Sequence, residues 1–142
     1  MKNYELRNGV SIPEIGYGTW KTPDGETCEK AVETAIRLGY HHIDAAMVYG
    51  NEESVGNGIK NSGIAREELF LTGKVWNSDR GYGRTIRAFE KTLKDLQTDY
   101  LDLYLILWSA SPNQYRCWES LNRETLEALT DLYTSGKVRA IS

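Results

Sequence analysis

The chain has 142 residues, of which 40% are hydrophobic and 26% are charged, and its formal net charge is −3. This length suffices for one globular domain with its own core, so we expect residues 1–142 to form a single domain. The mild acidic excess gives no reason to expect nucleic acid or an anionic membrane as a partner.

The first elements predicted along the chain are a hairpin, a short strand and a helix. Asn8-Gly9 lies between two short extended runs and predicts a type I′ hairpin turn. A short apolar strand follows near residues 15–18. Thr22-Pro23 then reads as the N-cap and first residue of a helix with apolar residues at helical spacing. Gly39 is expected to close this helix.

Three further strand–helix pairs are predicted after it. The runs HHIDA, LFLTGKV and YLDLYLIL read as strands, the last with both faces covered because it is nearly all apolar. Asn51 is expected to cap the second helix, which Gly56 and Gly58 weaken by propensity. The inward faces of the third and fourth helices are predicted at Ile86, Phe89, Leu93, Leu96 and at Leu121, Leu126, Leu129, Leu132, Tyr133.

The run KVRAIS begins a fifth strand. Regular alternation of strands and helices predicts an α/β fold with a parallel sheet and right-handed crossovers. The longest loop, WSASPNQYRCW, follows strand four at the edge where parallel strands face a ligand.

Two features bear on where the chain resides. The polar N-terminus argues against a secretory signal, and no apolar run is long enough to span a bilayer. Cys28 and Cys117 are far apart and lack metal-ligand spacing. We therefore expect a cytoplasmic protein with two reduced thiols and no metal site.

Three polar residues lie at or just after predicted strand ends. Asp44 ends strand two, Tyr49 follows in the next loop, and Lys74 ends strand three. A tyrosine has an ordinary pKa of about 10, so it donates a proton near neutral pH only where its phenolate is stabilised. An ammonium held by a carboxylate provides that stabilisation. Spacing alone leaves open a second interpretation, in which Asp44 and Lys74 form an ion pair that fastens two strands.

Five runs of the sequence resemble the aldo-keto reductases. They are GYGTW (16–20), HIDAAMVYGNEESVG (42–56), REELFLTGKVWN (66–77), DYLDLYLILW (99–108) and SGKVRAIS (135–142). The second and third are specific, because they combine sequence, order and spacing, and the pattern D-x-A-x-x-Y-G-N-E is met from Asp44 to Glu52.

The resemblance implies half of an eight-stranded (β/α) TIM barrel that reduces aldehydes or ketones with NADPH. The part present would be an N-terminal hairpin, four βα units and the start of strand five. Tyr49 would match the general acid, Lys74 the lysine that stabilises its phenolate, and Asp44 the carboxylate that anchors the lysine. Thr19, Trp20 and Asp44 would lie at the nicotinamide end of the cofactor.

Tryptophans after three strand ends would resemble substrate-pocket walls, although they could equally fill space above the sheet. They are Trp20, Trp76 and Trp108. The family has a histidine in the run L-I-H-W at the end of strand four, and here the run LILW places Leu107 there. A leucine has no hydrogen-bond donor, and losing such a donor typically costs about 100- to 1000-fold in rate. Both His41 and His42 read as structural, and the Gly16-x-Gly18 pair is not a dinucleotide-binding fingerprint.

A TIM barrel usually needs about 250 residues, and its phosphate-binding loops follow strands seven and eight. These 142 residues correspond to about half of one. We therefore expect little activity from the chain alone and self-association through exposed sheet edges. A flattened open sheet or a marginally folded fragment are the alternatives. In a second functional hypothesis the chain is a non-catalytic half-barrel that binds a partner through its open edge, and a third is a gene fragment without selected function.

Overall fold

The structure is a computed structural model that describes residues 2–142. An antiparallel hairpin of β1 (Asn3–Glu5) and β2 (Ser11–Pro13) begins the chain. The hairpin is confirmed, but its predicted turn type is wrong, because Gly9 has a φ of +84° while Asn8 is not among the positive-φ residues. Gly9 donates its N–H to Leu6 O at 2.8 Å, and one glycine with positive φ suffices for this longer turn.

Four parallel strands follow in the sheet order β3-β4-β5-β6, and each is followed by a helix. The strands are β3 (Tyr17–Gly18), β4 (His42–Asp44), β5 (Phe70–Val75) and β6 (Leu103–Ile106). The helices are α1 (Glu26–Arg37), α2 (Glu52–Ser62), α3 (Tyr82–Leu96) and α4 (Trp118–Thr134). Parallel bridges Leu101–Val138 and Tyr104–Ile141 begin a fifth strand. The predicted α/β architecture of a hairpin, four βα units and a partial barrel is confirmed.

The core fills the space between the sheet and its helices. The predicted inward face of α3 is confirmed, because Phe89, Leu93 and Leu96 are buried. The prediction for α4 is right at Leu129 and Leu132 and wrong at Leu126 and Tyr133, which are exposed. Those two residues are seven positions apart on one side of the helix, away from the side that packs on the sheet.

The predicted start of α1 is wrong. The helix begins at Glu26 with Gly25 as its N-cap residue, at a φ of 92° and a ψ of −152°, rather than at Thr22-Pro23. Ser54 explains the later start, because its hydroxyl accepts the Gly25 N–H at 2.8 Å and donates to the Asp24 carboxylate at 2.5 Å. These contacts hold Asp24 and Gly25 in a turn before the helix begins.

Helix α2 uses its predicted cap and its glycines differently from expectation. Asn51 occupies the N-cap position, but its side chain makes no cap hydrogen bond to α2. Gly58 costs helix propensity, yet a Cβ there would lie 2.6 Å from Glu29 O and 2.8 Å from Val32 Cβ. The glycine therefore permits close packing of α2 on α1, so weak propensity is offset by tertiary contact.

One face of the sheet is turned away from the helices. Register and side-chain alternation place Thr72 and Leu103 together on this face, and Lys74 and Leu105 together one step further along. Both leucines are only half-buried, so the expectation that strand four is covered on both sides is wrong for this side. The open face leads to the strand ends where the candidate site lies.

Candidate functional site

Two neighbouring strands bring the first two candidate residues to one edge. Asp44 is the last residue of β4 and pairs in register with Thr72, and Lys74 lies two residues further along β5. Because alternate residues of a strand point to the same face, Lys74 reaches back over the end of β4. The parallel arrangement therefore accounts for their meeting without a specialised loop.

Lys74 is the centre of the site. Its side chain is only 7% exposed, and its ammonium forms an ion pair with the Asp44 carboxylate, whose side chain is 33% exposed. The same Nζ donates to the Ala45 carbonyl at 3.0 Å and to the Tyr49 hydroxyl oxygen at 3.2 Å. The three donors of the ammonium thus have three acceptors, and a nearly buried charge is satisfied.

A short 3₁₀ turn, Met47–Tyr49, carries the tyrosine to the lysine. The Tyr49 N–H donates to Ala46 O at 3.0 Å, and the Gly50 N–H donates to Met47 O at 3.1 Å. Gly50 ends the turn at a φ of 70°, where a residue with a Cβ would be strained. The chain between Asp44 and α2 is therefore folded so that the phenol points back over β5.

A second layer of contacts fixes the backbone of the site. The Thr19 hydroxyl and N–H both donate to the Asp44 carbonyl, at 3.1 and 3.0 Å. The side-chain amide of Asn51 donates to Thr19 O and to Thr22 O, each at 2.9 Å. Asn51 thus connects the start of α2 to the loop after β3, and the segment that bears Asp44 and Tyr49 is held from both ends.

The predicted pocket residues all follow strand ends, but they differ in exposure. Trp20 directly follows Thr19 and is 66% exposed, and Trp108 follows β6 and is 64% exposed. Trp76 is half-buried. Leu107 is also half-buried, and its N–H donates to Val75 O at 3.1 Å, so it extends the ladder between β5 and β6. Their roles in a pocket stay a prediction.

Leu107 is placed beside the site by strand geometry. Leu105 pairs in register with Lys74, and Leu107 lies two residues further along the same face, about 7 Å by the rise of a strand. The side chain is apolar and offers no hydrogen bond to a ligand oxygen.

Neither histidine forms a hydrogen bond with the ammonium of Lys74. His42 shares a hydrogen bond of 2.9 Å between its Nε2 and Thr72 Oγ1, and its ring stands edge-on to Phe70 at 5.0 Å between centroids. Burial lowers the pKa of His42 from its ordinary value, which favours the neutral imidazole near pH 7. His41 is exposed and its Nδ1 lies 3.0 Å from the Glu68 carbonyl.

A buried carboxyl group lies next to this assembly. Glu52, the first residue of α2, is 4% exposed, and its carboxyl oxygens accept from Thr92 Oγ1 at 3.0 and 3.3 Å. Burial raises the pKa of Glu52 to about 7, and the Lys74 charge opposes that rise only weakly. A glutamate in the first turn of a predicted helix gives no sign of burial in the sequence, so this feature could not be foreseen from the chain alone.

Two contacts of the site were not predicted. The Ala45 carbonyl is a backbone acceptor for Lys74, and no side-chain pattern signals it. Arg80 is buried and donates from Nε and Nη2 to the Trp108 carbonyl. An arginine before a glycine in a polar loop carries no signal of burial, so sequence reasoning passes over it.

Two kinds of feature are absent from residues 2–142. In this part of the chain, no helix has the length and apolar character needed to cross a membrane. The same residues contain no cluster of three or more histidine, cysteine or acidic side chains suited to a metal ion.

Comparison with known proteins relates this geometry to a family. The family model described as "Aldo/keto reductase family" matches residues 14–142. A glyoxal reductase of Bacillus subtilis is 50% identical over 137 residues, covering 96% of this chain and 47% of that protein. A 9,11-endoperoxide prostaglandin H2 reductase of Trypanosoma cruzi is 45% identical, covering 96% of this chain and 45% of that protein.

Solved structures of aldo-keto reductases also resemble this chain over nearly its whole length. An aldo/keto reductase from Brucella melitensis matches with a TM-score of 0.89 and 45% identity, over 99% of this chain and 52% of that one. MGS-M4, an aldo-keto reductase from a deep-sea metagenome library, matches with a TM-score of 0.87 and 45% identity, over 98% and 48% of the two chains. Both are TIM barrels. The chain spans about half the length of the curated relatives it matches.

Proposed function

Because the chain belongs to the aldo/keto reductase family, we propose that it supplies the proton-transfer group of an NADPH-dependent reductase that converts aldehydes or ketones to alcohols. The observation that carries this proposal is the arrangement around Lys74, whose ammonium contacts both the Asp44 carboxylate and the Tyr49 hydroxyl. The proposed catalytic residues are Tyr49, Lys74 and Asp44.

The chemistry follows from these contacts. When bound, a nicotinamide cofactor supplies the hydride that forms the new C–H bond at the carbonyl carbon. Tyr49 donates its hydroxyl proton to the carbonyl oxygen, which leaves a phenolate facing the Lys74 ammonium. The ammonium stabilises that phenolate, and Asp44 holds the ammonium in place while balancing its charge.

The residues present fit the nicotinamide end of such a cofactor. Trp20 presents an exposed indole ring next to the backbone of Asp44, and the Asp44 carboxylate keeps a third of its surface open. The Thr19 hydroxyl is already used by the Asp44 carbonyl, so we assign Thr19 the task of holding this wall in place. Trp20, Thr19 and Asp44 are thus the residues of this chain proposed to face the cofactor.

We propose that this chain is a weak catalyst because position 107 carries a leucine, which has no hydrogen-bond donor. A carbonyl oxygen bound above Lys74 would receive the Tyr49 proton on one side and meet an apolar side chain at Leu107 on another. Losing an oriented donor to a reacting oxygen costs on the order of 100- to 1000-fold in rate.

The experiment completes the barrel and then varies the site. Residues 1–142 would be joined to the C-terminal half of the glyoxal reductase of Bacillus subtilis, and NADPH oxidation would be followed with glyoxal as substrate. We expect slow turnover from the chimera and a rise of about 100-fold in kcat on Leu107→His. Tyr49→Phe in the Leu107→His background should remove most of that gain.

A matched control tests whether the effect of the added imidazole depends on its position. Leu105 lies one step lower on the same face, in register with Lys74, so Leu105→His adds an imidazole at the wrong level. It should leave kcat unchanged. Equal activity with and without the Tyr49 hydroxyl would show that another group donates the proton, and the proposal would fail.

A second candidate function is favoured by the half-exposed leucines on the open face of the sheet, Leu103, Leu105 and Leu107. In this alternative the chain is a non-catalytic half-barrel that binds a partner. Titration of NADPH fluorescence with the completed chimeric barrel, which includes the phosphate-binding loops after strands seven and eight, distinguishes the two. Micromolar binding supports the reductase, and no binding supports the partner-binding module.

We propose that a second copy of the chain covers this open face when the chain is alone. Four strands from each copy provide the eight that a closed (β/α) barrel requires. Multi-angle light scattering should then give twice the mass of one chain, 16.1 kDa. A stable monomer at the same concentration would refute self-association.

We also propose a cytoplasmic location. Cys28 is buried in α1 and Cys117 is exposed, and both are free. Burial raises the pKa of Cys28 to about 11, so its thiol is unreactive. Fractionation of cells that express a tagged chain would test the location.

A further inference from the structure

Arg80 is a buried arginine whose partners are all neutral. It is 2% exposed and lies between the 3₁₀ turn Asn77–Asp79 and the start of α3. Its Nε and Nη2 donate to the Trp108 carbonyl at 2.9 and 2.5 Å, and Nη2 also donates to Asn77 Oδ1 at 2.8 Å. Its Nη1 is buried without a hydrogen-bond partner. The side chain therefore connects the loop after β5 to the loop after β6.

The geometry points to Arg80 as a positioning residue for the substrate pocket, which sets the place of Trp108 by holding its carbonyl. This inference rests on the proposed function, because Trp108 is a pocket wall only if a carbonyl substrate binds above Lys74. Arg80 would then influence how well a substrate fits the pocket without contacting the substrate itself.

The backbone around Trp108 is held at three successive points. Leu107 is fixed by its strand hydrogen bond, Trp108 by Arg80, and Ala110 by Asn122, which accepts the Ala110 N–H at 2.7 Å and donates to its carbonyl at 2.9 Å. The Trp108 ring itself is exposed, so packing does not fix it. The point from which the ring extends is then set by the backbone, and the Arg80 contact is the one made at Trp108 itself.

A role in stability alone explains Arg80 poorly. A buried charge is costly unless it is paired with an opposite charge and fully hydrogen-bonded, and here an Nη1 is left without a partner. A guanidinium is nevertheless well suited to position a carbonyl, because its planar fork can direct two N–H groups at one oxygen. Lysine offers a single flexible point charge and would hold the carbonyl less well.

The test uses the whole 142-residue chain labelled with 5-fluorotryptophan and observed by ¹⁹F NMR. The chain has four tryptophans, so four resonances are expected, and Trp108→Phe identifies the one that matters. Arg80→Met removes the donors while keeping an unbranched side chain, and Arg80→Lys is the conservative variant. Arg84→Met is the matched control, because Arg84 is exposed one turn along on α3.

We expect Arg80→Met to shift or broaden the Trp108 resonance and to leave those of Trp20 and Trp118 in place. Arg80→Lys should fall between the wild type and Arg80→Met, and Arg84→Met should change nothing. A folded Arg80→Met chain with an unmoved Trp108 resonance would overturn the inference. Equal changes at all tryptophans, with a lowered melting temperature, would show a general structural role and would overturn it too.

A second measurement links the position of the wall to ligand binding. Acetophenone serves as the carbonyl probe, and its dissociation constant is read from the Trp108 resonance. We expect acetophenone to bind Arg80→Met roughly tenfold more weakly than the wild type, which is the size of effect expected when hydrogen bonds from a charged donor are lost. Arg84→Met should bind it like the wild type. Equal binding to all three chains would refute a role in the pocket. If acetophenone fails to bind the wild type, the role of Arg80 in substrate fit is overturned, while the Trp108 resonance still decides whether Arg80 positions Trp108 and the chimera still decides the proposed function.

Discussion

Replacing Glu52 with glutamine should make the protein more stable at pH 8 and leave it almost unchanged near pH 4.5. Glu52 is 4% exposed, and its contacts are the two hydrogen bonds from the Thr92 hydroxyl. Burial raises the pKa of Glu52 from an ordinary 4.5 to about 7. Between these two values the folded chain holds a proton that the unfolded chain has released. The free energy of unfolding therefore falls as the pH rises through this window.

The magnitude follows from the width of that window. Each pH unit corresponds to about 1.4 kcal/mol, so the gap between 4.5 and about 7 amounts to on the order of 3 kcal/mol. Glutamine cannot ionise, and its amide oxygen can still accept from Thr92. The advantage of Glu52→Gln should grow from near zero at pH 4.5 to about 3 kcal/mol at pH 8.

The assay is urea unfolding followed by far-ultraviolet circular dichroism, at constant ionic strength and at several pH values across the window. Burial also lowers the pKa of His42, and its effect on the free energy of unfolding has the opposite sign. It is common to both chains and cancels in the difference. Glu53→Gln is the control, since Glu53 is the exposed neighbour of Glu52. A Glu52→Gln chain whose advantage does not change with pH would refute the buried, protonated carboxyl group.

Three further substitutions test the packing by urea unfolding. Asp102→Ala should cost about 3 kcal/mol, because Asp102 is 1% exposed and its removal leaves the buried Leu71 N–H and two guanidinium groups without their acceptor. A loss below 1 kcal/mol would refute this. Gly58→Ala should destabilise by about 2 kcal/mol, since the new methyl group meets α1, and a stabilised variant would show that helix propensity decides instead. The double change Lys74→Met and Asp44→Asn should lower the free energy of unfolding by less than Asp44→Asn alone, because the single change leaves a nearly buried ammonium without its counter-charge. Additive losses would show that the two residues are not coupled.

The architecture was predictable because each element is a local pattern. Strand and helix periods, with the glycines that follow the helices, predict four βα units, and the structure contains them. The meeting of Asp44 and Lys74 follows from the same logic, since neighbouring parallel strands end at one edge. Tyr49 was a candidate by its place after a strand, but its contact with Lys74 could not be predicted from spacing, because a residue in a loop has no period that fixes its direction.

The rest depends on contacts between distant parts of the chain. Asn51 was expected to cap its own helix, but its amide binds carbonyls 29 and 32 residues earlier. Gly58 reads as a weak helix position until α1 is seen against it. Arg80 reaches a carbonyl 28 residues later. No local pattern reports which distant backbone group a polar side chain will meet, so these features became visible only in three dimensions.

The energetic cost of burying Lys74 favours the proposed proton-transfer group over an ion pair that only holds two strands together. Adjacent strands β4 and β5 already share a ladder of backbone hydrogen bonds, and Ile43 and Leu71 are fully buried behind it. An ion pair adds little to such a junction, because desolvation of a nearly buried ammonium offsets most of its attraction to Asp44. If fastening were its role, an apolar pair would serve as well or better. What an apolar pair cannot do is face a phenol with a fixed positive charge, and the ammonium donates to the Tyr49 oxygen at 3.2 Å. The contacts of Lys74 therefore support the proposed role of the ammonium beside Tyr49 more than a role in the stability of the sheet.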